Sequence, residues 1–183
     1  MEPCLILIWV VTEEGKVLLL PVKEKTEKYG PFYQPIEGWQ RYNESTLGTI
    51  SRLIKETLGR KLVDELAIQY YYRQYLPEFL EEKFSFGNRK MATRRHFLWR
   101  ITDLQLSLIA RTDIRFVGTE VLPKIKKLGD SSNDGDIVLN NADQEVLTKK
   151  ILNPQRVRPE SGETVSHLFI FENRILYWST LPR

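Results

Sequence analysis

Gly38-Trp39-Gln40-Arg41-Tyr42-Asn43-Glu44, followed after a short interval by Arg52-Leu53-Ile54-Lys55-Glu56-Thr57-Leu58-Gly59-Arg60, is the stretch whose reading decides the fold. Between the two halves, Glu44-Ser45-Thr46 supplies capping chemistry, and Leu47, Ile50, Ile54 and Leu58 recur at helical steps, which predicts an amphipathic helix. Gly59 stands where a glycine terminates such a helix. Gly48 costs roughly 1 kcal/mol of helix propensity relative to alanine, so it marks close packing rather than a break. Positions 53, 56 and 57 are related by steps of three and four and so lie on one side of the helix, where the chain places Leu53, Glu56 and Thr57.

Outward from the helix the pattern changes to strands. Cys4 to Val11 is an apolar run too short to span a bilayer, preceded by an acidic Glu2, and reads as a buried strand. Thr12-Glu-Glu-Gly15 then turns into Lys16 to Lys23, giving a hairpin. Glu24 to Tyr29 reads as a charged loop, and Phe32 to Glu37 as extended chain because Pro35 opposes helix. Leu66 to Tyr75 and His96 to Thr102 read as neighbouring strands, with Pro77 to Arg95 a long connection between them. Ile114 to Val117 reads as a short strand, Gly129 to Asp136 as a polar loop and Ala142 to Leu152 as a helix. Pro154 and Pro159 bound a linker, and Thr164 to Phe171 with Arg174 to Ser179 forms a second hairpin.

Composition bounds the function classes. A chain of 183 residues, 42% hydrophobic and 28% charged, has the make-up of one soluble globular domain. The net charge of +3, with the signs interspersed, gives no general pull toward RNA or an anionic membrane, so any anion site must be local. One cysteine, Cys4, excludes an intrachain disulfide and, with only His96 and His167, argues against a Cys/His zinc site. That usage fits a reducing cytoplasm.

The Gly38 to Arg60 stretch resembles the signature box of the Nudix hydrolase superfamily. Gly38, Glu44, Arg52, Glu56 and Gly59 stand at its spacing, while Leu53, Thr57 and Arg60 depart from it and Glu37 replaces a preceding glycine. The resemblance implies an α/β/α sandwich with a mixed β-sheet, spanning about residues 4–152 of a single 1–183 domain, with a C-terminal β-hairpin in the 153–183 extension. It implies Mg²⁺ or Mn²⁺, which would neutralise phosphates and activate water through carboxylate ligands. On that reading Glu56 and Arg52 are the catalytic residues, Glu56, Glu44 and Glu37 hold the metal, and Gly38, Arg94 and Arg95 contact substrate. The substrate class implied is a nucleoside diphosphate linked to another moiety. Because Leu53 and Thr57 remove two expected ligands, the alternative is a module that keeps the fold without catalysis and binds a nucleotide, RNA or a protein.

Other features carry less. Arg89, Lys90, Arg94 and Arg95 near Phe84 and Phe86 read either as a solvated loop or as a lid that grips phosphate or stacks a base. His96 beside a strand reads as a structural histidine. Asp130, Asp134 and Asp136 lack the glutamate that a calcium loop needs. Phe169, Phe171, Tyr177 and Trp178 make the tail hairpin aromatic, either to complete the core or to bury a homodimer interface.

Overall fold

The apolar run Cys4–Val11 forms strand β1, which is buried along nearly its whole length and therefore needs a neighbour on each edge and a layer on each face. In a computed structural model that describes residues 2–66, 76–127, 137–152, 168–171 and 174–177, both needs are met. Strand β2 (Val17–Pro21) folds back antiparallel through the turn at Gly15, whose φ of 78° suits glycine. A short helix α1 (Lys23–Tyr29) follows, then strands β3 (Tyr33–Gln34) and β4 (Ile36–Trp39). The stretch read as a charged loop is thus α1. Lysine and glutamate are good helix formers, and the Thr26 hydroxyl ties the turn by donating to the Val22 carbonyl and accepting from Phe32 N–H.

Strand β4 pairs antiparallel with the first half of β1, with Leu7 opposite Glu37 and Ile6 opposite Gly38. Helix α2 (Thr46–Leu58) comes next, capped by the Ser45 hydroxyl, which accepts from Gly48 N–H at 3.0 Å, and ended by Gly59 at φ 112°. Helix α3 (Arg60–Leu66) continues from it. The region read as a long connection holds two strands, β5 (Glu78–Phe86) and β6 (Lys90–Arg100), paired antiparallel across a tight turn at Gly87 to Arg89. Phe84 and Phe86 alternate there with exposed Lys83 and Ser85, a period of two that its basic residues obscure. Strand β6 runs parallel to β1 on the edge opposite β4, so the sheet is mixed.

Helix α4 (Asp103–Leu106) has a reciprocal capping box between Thr102 and Gln105. Strand β7 (Arg115–Val117) joins β2, as the short-strand reading expected, and β8 (Ile125–Lys127) pairs parallel with β9 (Ile137–Leu139). Helix α5 (Asn141–Glu145) runs into a π-helical segment, Val146–Leu152, so the helix read from Ala142 to Leu152 is present with a changed pitch. Strands β10 (Leu168–Phe171) and β11 (Arg174–Tyr177) form the tail hairpin. The strand read over Leu66 to Tyr75 lies, after Leu66 at the end of α3, outside the described residues, as do the polar loop with its three aspartates and the proline linker.

Two apolar layers flank the sheet. Ile6, Ile8, Val10, Phe97 and Trp99 pack against Ile50, Leu53, Ile54 and Leu58 of α2. Trp9, Val11, Val17 and Leu98 pack against Val146, Leu147, Ile151 and Leu152. The arrangement is an α/β/α sandwich around a mixed sheet. Among the described residues no helix is long and apolar enough to cross a membrane.

Candidate functional site

The loop from Trp39 to Ser45 and the outer side of α2 form a closed set of polar contacts. Arg52 donates from Nε to Glu44 Oε1 at 2.8 Å and from Nη2 to Glu44 Oε2 at 2.9 Å, a bidentate pair that also reaches the Trp39 carbonyl at 2.9 Å. Glu44 Oε2 accepts further bonds from the Thr49 hydroxyl at 2.8 Å and from Arg41 N–H at 3.0 Å. A carboxylate has about four lone-pair sites, and four donors converge on this one, three of them on Oε2. The Arg52 hydrogen bond, reinforced by those of Arg41 and Thr49, holds the Glu44 pKa down at about 2. Arg52 fixes the loop to the helix, and Glu44 is the anchor it grips.

Leu53 points from α2 into the sheet and is 4% exposed. It packs on Gly38 so closely that a Cβ at position 38 would collide with its Cδ2. Gly38 is therefore the cradle for an apolar side chain. Burying that leucine is worth about 1.5–3 kcal/mol. Glu56, 52% exposed, lies 3.6 Å from Arg41 Nη2 and 3.4 Å from Arg52 Nη1, so two guanidiniums neutralise it.

Glu37 is on the other side of the sheet. Neighbouring residues of a strand face opposite ways, and Gly38 faces α2. The proposed ligand set of Glu37, Glu44 and Glu56 is thus not brought to one point. Among the described residues no group of three or more histidine, cysteine, aspartate or glutamate side chains could share a metal ion. The donors here do not fit the divalent cation that the box implies: one carboxylate is saturated, one faces away, one is paired with arginines, and leucine fills the place of another.

The two adjacent arginines of β6 also part company. Arg95 aligns with Ile6 on the α2 side, where it donates to both oxygens of Glu78 and, at 3.0 Å, to the Thr46 hydroxyl, tying β5, β6 and the start of α2 together. Arg94 aligns with Leu5 on the opposite face, its guanidinium 4.4 Å from the Phe84 ring centre and 3.9 Å from Glu82. Of the substrate contacts read from sequence, Gly38 and Arg95 are held by packing and ion pairing within the protein.

His96 is a structural group. Its Nδ1 accepts from Trp9 Nε1 at 3.1 Å, so its proton sits on Nε2, 3.0 Å from Glu82 Oε2. Burial, only partly offset by Glu82, lowers its pKa to about 4 and keeps the ring neutral. Beside it, Glu37, Arg94, Lys25 of α1 and Asp143 of α5 form a mutually interacting charged group. Asp143 is fully buried. Burial first, and then the charge of Glu37, raise its pKa to about 7 against the pull of Arg94, Asn140 and Lys25. Burial raises that of Glu37 as well. Among the described residues, Arg94 Nε and Asp143 Oδ1 here, and Trp99 Nε1 on the α2 side, are buried without a hydrogen-bond partner. Sequence reasoning passed over Asp143 because it stands three residues after Asn140, whose side chain caps it, and reads as a helix-start residue.

No family model matches the chain, and no curated protein matches it. Solved structures do. The Escherichia coli dihydroneopterin triphosphate pyrophosphohydrolase aligns over 82% of this chain and 96% of its own, at 13% identity and a TM-score of 0.50. The NUDIX domain of Shewanella oneidensis NrtR, solved with ADP ribose, aligns over 63% of this chain and 72% of its own, at 12% identity and a TM-score of 0.39. A bifunctional NMN adenylyltransferase/ADP ribose pyrophosphatase from Francisella tularensis, solved with AMP and a manganese ion, aligns over 65% of this chain and 34% of its own, at 15% identity and a TM-score of 0.41.

Proposed function

We propose, on the premise that this chain has the Nudix fold, that it is a binding module for a nucleotide-type ligand rather than a metal-assisted phosphoanhydride hydrolase. The observation that carries this reading is Leu53 seated on Gly38, in the position where the resembled box places a carboxylate. Hydrolysis through a divalent ion needs several oxygen ligands around one point, and Glu44 already spends its oxygens on Arg52, Thr49 and Arg41. What the Arg52–Glu44 clamp does supply is a fixed loop, and a fixed loop is what recognition requires. The ligand class is taken from the fold neighbour that aligns at a TM-score of 0.50, whose name carries dihydroneopterin triphosphate, a ring compound bearing a triphosphate.

The hydrolase reading turns on Glu56, which remains exposed. Both readings are separated by a phosphate-release screen over nucleoside triphosphates, dinucleoside polyphosphates and ADP-ribose with Mg²⁺ or Mn²⁺, run beside Glu56→Gln. The same compounds are followed by thermal shift in EDTA. The expected result is release no greater than that of Glu56→Gln, together with a ligand-dependent shift that persists without metal. Metal-dependent turnover abolished by Glu56→Gln overturns the proposal.

A further inference from the structure

Helix α5 is attached to the rest of the fold in an unusual way. Its one buried side chain is Asp143, a residue type that is rarely buried completely, whereas the π-helical segment that follows is held by buried Val146, Leu147, Ile151 and Leu152. Within the first turn Asp143 is tied twice to Asn140: its N–H donates to the Asn140 side-chain oxygen at 2.8 Å, and its Oδ2 accepts from Asn140 Nδ2 at 2.8 Å. Its other oxygen, Oδ1, has no donor among the described residues. Charged groups from three further elements act on it: Glu37 of β4, Arg94 of β6 and Lys25 of α1. Strand β8, which also packs against α5, carries Lys126 and Lys127. On α5 itself Glu145 is exposed and pairs with Lys149 at 3.2 Å.

A neutral and an ionised carboxyl fare differently in such a place. Neutral, Asp143 keeps its bond from Asn140 and leaves only a weak acceptor unmatched. Ionised, it holds a buried negative charge with one oxygen bare, and the charge of Glu37 opposes it. The two cations are engaged elsewhere: the Arg94 guanidinium lies over the Phe84 ring and 3.9 Å from Glu82, and Lys25 Nζ lies 4.7 Å from the Phe32 ring centre. The turn is also easy to free. It belongs to a helix of five residues, and at Val146 the hydrogen-bond ladder changes to the wider π pattern, so the first turn can part from the segment behind it.

We infer that the first turn of α5 is a pH-operated latch: with Asp143 protonated it lies docked on the Glu37–Arg94 group, and loss of that proton lets it open about its junction with the π-helical segment. Docked, Asp143 titrates near 7, through burial first and then the charge of Glu37; opening returns it to water and to its ordinary 3.8. Between those values the open form binds fewer protons than the docked form, so each unit of rising pH favours opening by about tenfold. Below the lower value and above the upper one the balance no longer changes. The apolar anchor beyond the junction has no such dependence, so the motion is confined to the turn. No ligand enters this device, which stands or falls apart from the binding-module reading.

The test is amide hydrogen exchange of the full chain followed by NMR across roughly pH 4–9, with each rate corrected for its intrinsic pH dependence. The amides of Asp143 to Val146 are expected to lose protection by about tenfold per pH unit up to about 7 and to level off above it, while those of β1 stay more protected throughout. Asp143→Asn, which cannot ionise, should keep the turn protected at every pH. Glu37→Gln removes a charge that opposes ionisation of Asp143, so the levelling-off should move to lower pH. If Asp143→Asn does not fold, Glu37→Gln carries the test. Equal protection of α5 and β1 would mean that the turn opens only with the whole fold, and it overturns the inference. So does protection that does not fall in the unaltered chain, a fall that persists in Asp143→Asn, or a levelling-off that Glu37→Gln leaves in place.

Discussion

The two faces of the sheet around β1 treat their polar residues in opposite ways. On the α2 side Glu44 is engaged by arginine, threonine and a backbone amide, and Arg95 joins Glu78 to Thr46. On the other side Arg94 Nε and Asp143 Oδ1 are buried and, among the described residues, unmatched. A closed network spends its hydrogen bonds on rigidity, whereas an open one keeps them for something else. The resemblance to a catalytic box therefore lies on the side whose charged groups are paired with one another, where among the described residues the unmatched buried atom is Trp99 Nε1 rather than a charged group.

The largest expected effect breaks the closed side. Leu53→Glu puts a carboxylate where the sheet and Gly38 leave no room, and should cost about 3–5 kcal/mol by urea denaturation. Mn²⁺ binding by that variant at full stability would show that the closed side can be reopened. Next comes Arg52→Ala, which strands Glu44, and a loss of about 2–3 kcal/mol is expected in the same measurement. The pH dependence follows from Glu44. Its folded pKa of about 2 lies below the ordinary 4.5, so its contribution is full above 4.5 and disappears as pH falls toward 2. Glu44→Gln should remove that part of the acid limb in a pH series of melting temperatures.

The open side has the opposite sign. Asp143 titrates near 7 in the fold against an ordinary 3.8, so the folded protein holds the extra proton and stability falls as pH rises through that interval. Asp143→Asn should therefore stabilise at pH 8 by about 2 kcal/mol, or roughly 4–8 °C in melting temperature, with little gain at pH 3.5. A destabilised variant at pH 8 would mean that the carboxylate is satisfied after all. The smallest effect belongs to Glu56→Gln. Its arginine partners hold an exposed group, and a change within about 0.5 kcal/mol is expected by urea denaturation.

Much of the closed side was legible because its signals are local. Ser45 caps α2, Gly59 ends it, and the apolar steps from Leu47 to Leu58 face the core. Strand β1 and the tail hairpin were equally readable from short-range pattern. What failed depended on long-range register. Glu37 reads as a spare carboxylate for the box until its pairing with Leu7 shows which way it faces. Strand β5 was concealed because its alternation is between aromatic residues and lysine or serine rather than aliphatic ones. Asp143 was concealed because a capping position is an ordinary place for aspartate, and only its burial against Glu37 makes it unusual.

The adjacency of Glu37 and Gly38 in β4 also sets the kind of genetic change that could convert one face into the other. Substitution leaves each residue's orientation untouched, but loss of one residue between Pro31 and Ile36 that slid the rest of β4 along β1 would exchange the two sides at a stroke. Trp39 would then take the place of Gly38 against Leu53, and Gly38 would take the place of Glu37 on the other face. Point mutation should thus tune this protein by degrees, whereas indels in that segment should be all-or-none, so a library of single-codon deletions across residues 31–39 would divide sharply into tolerated and lethal members.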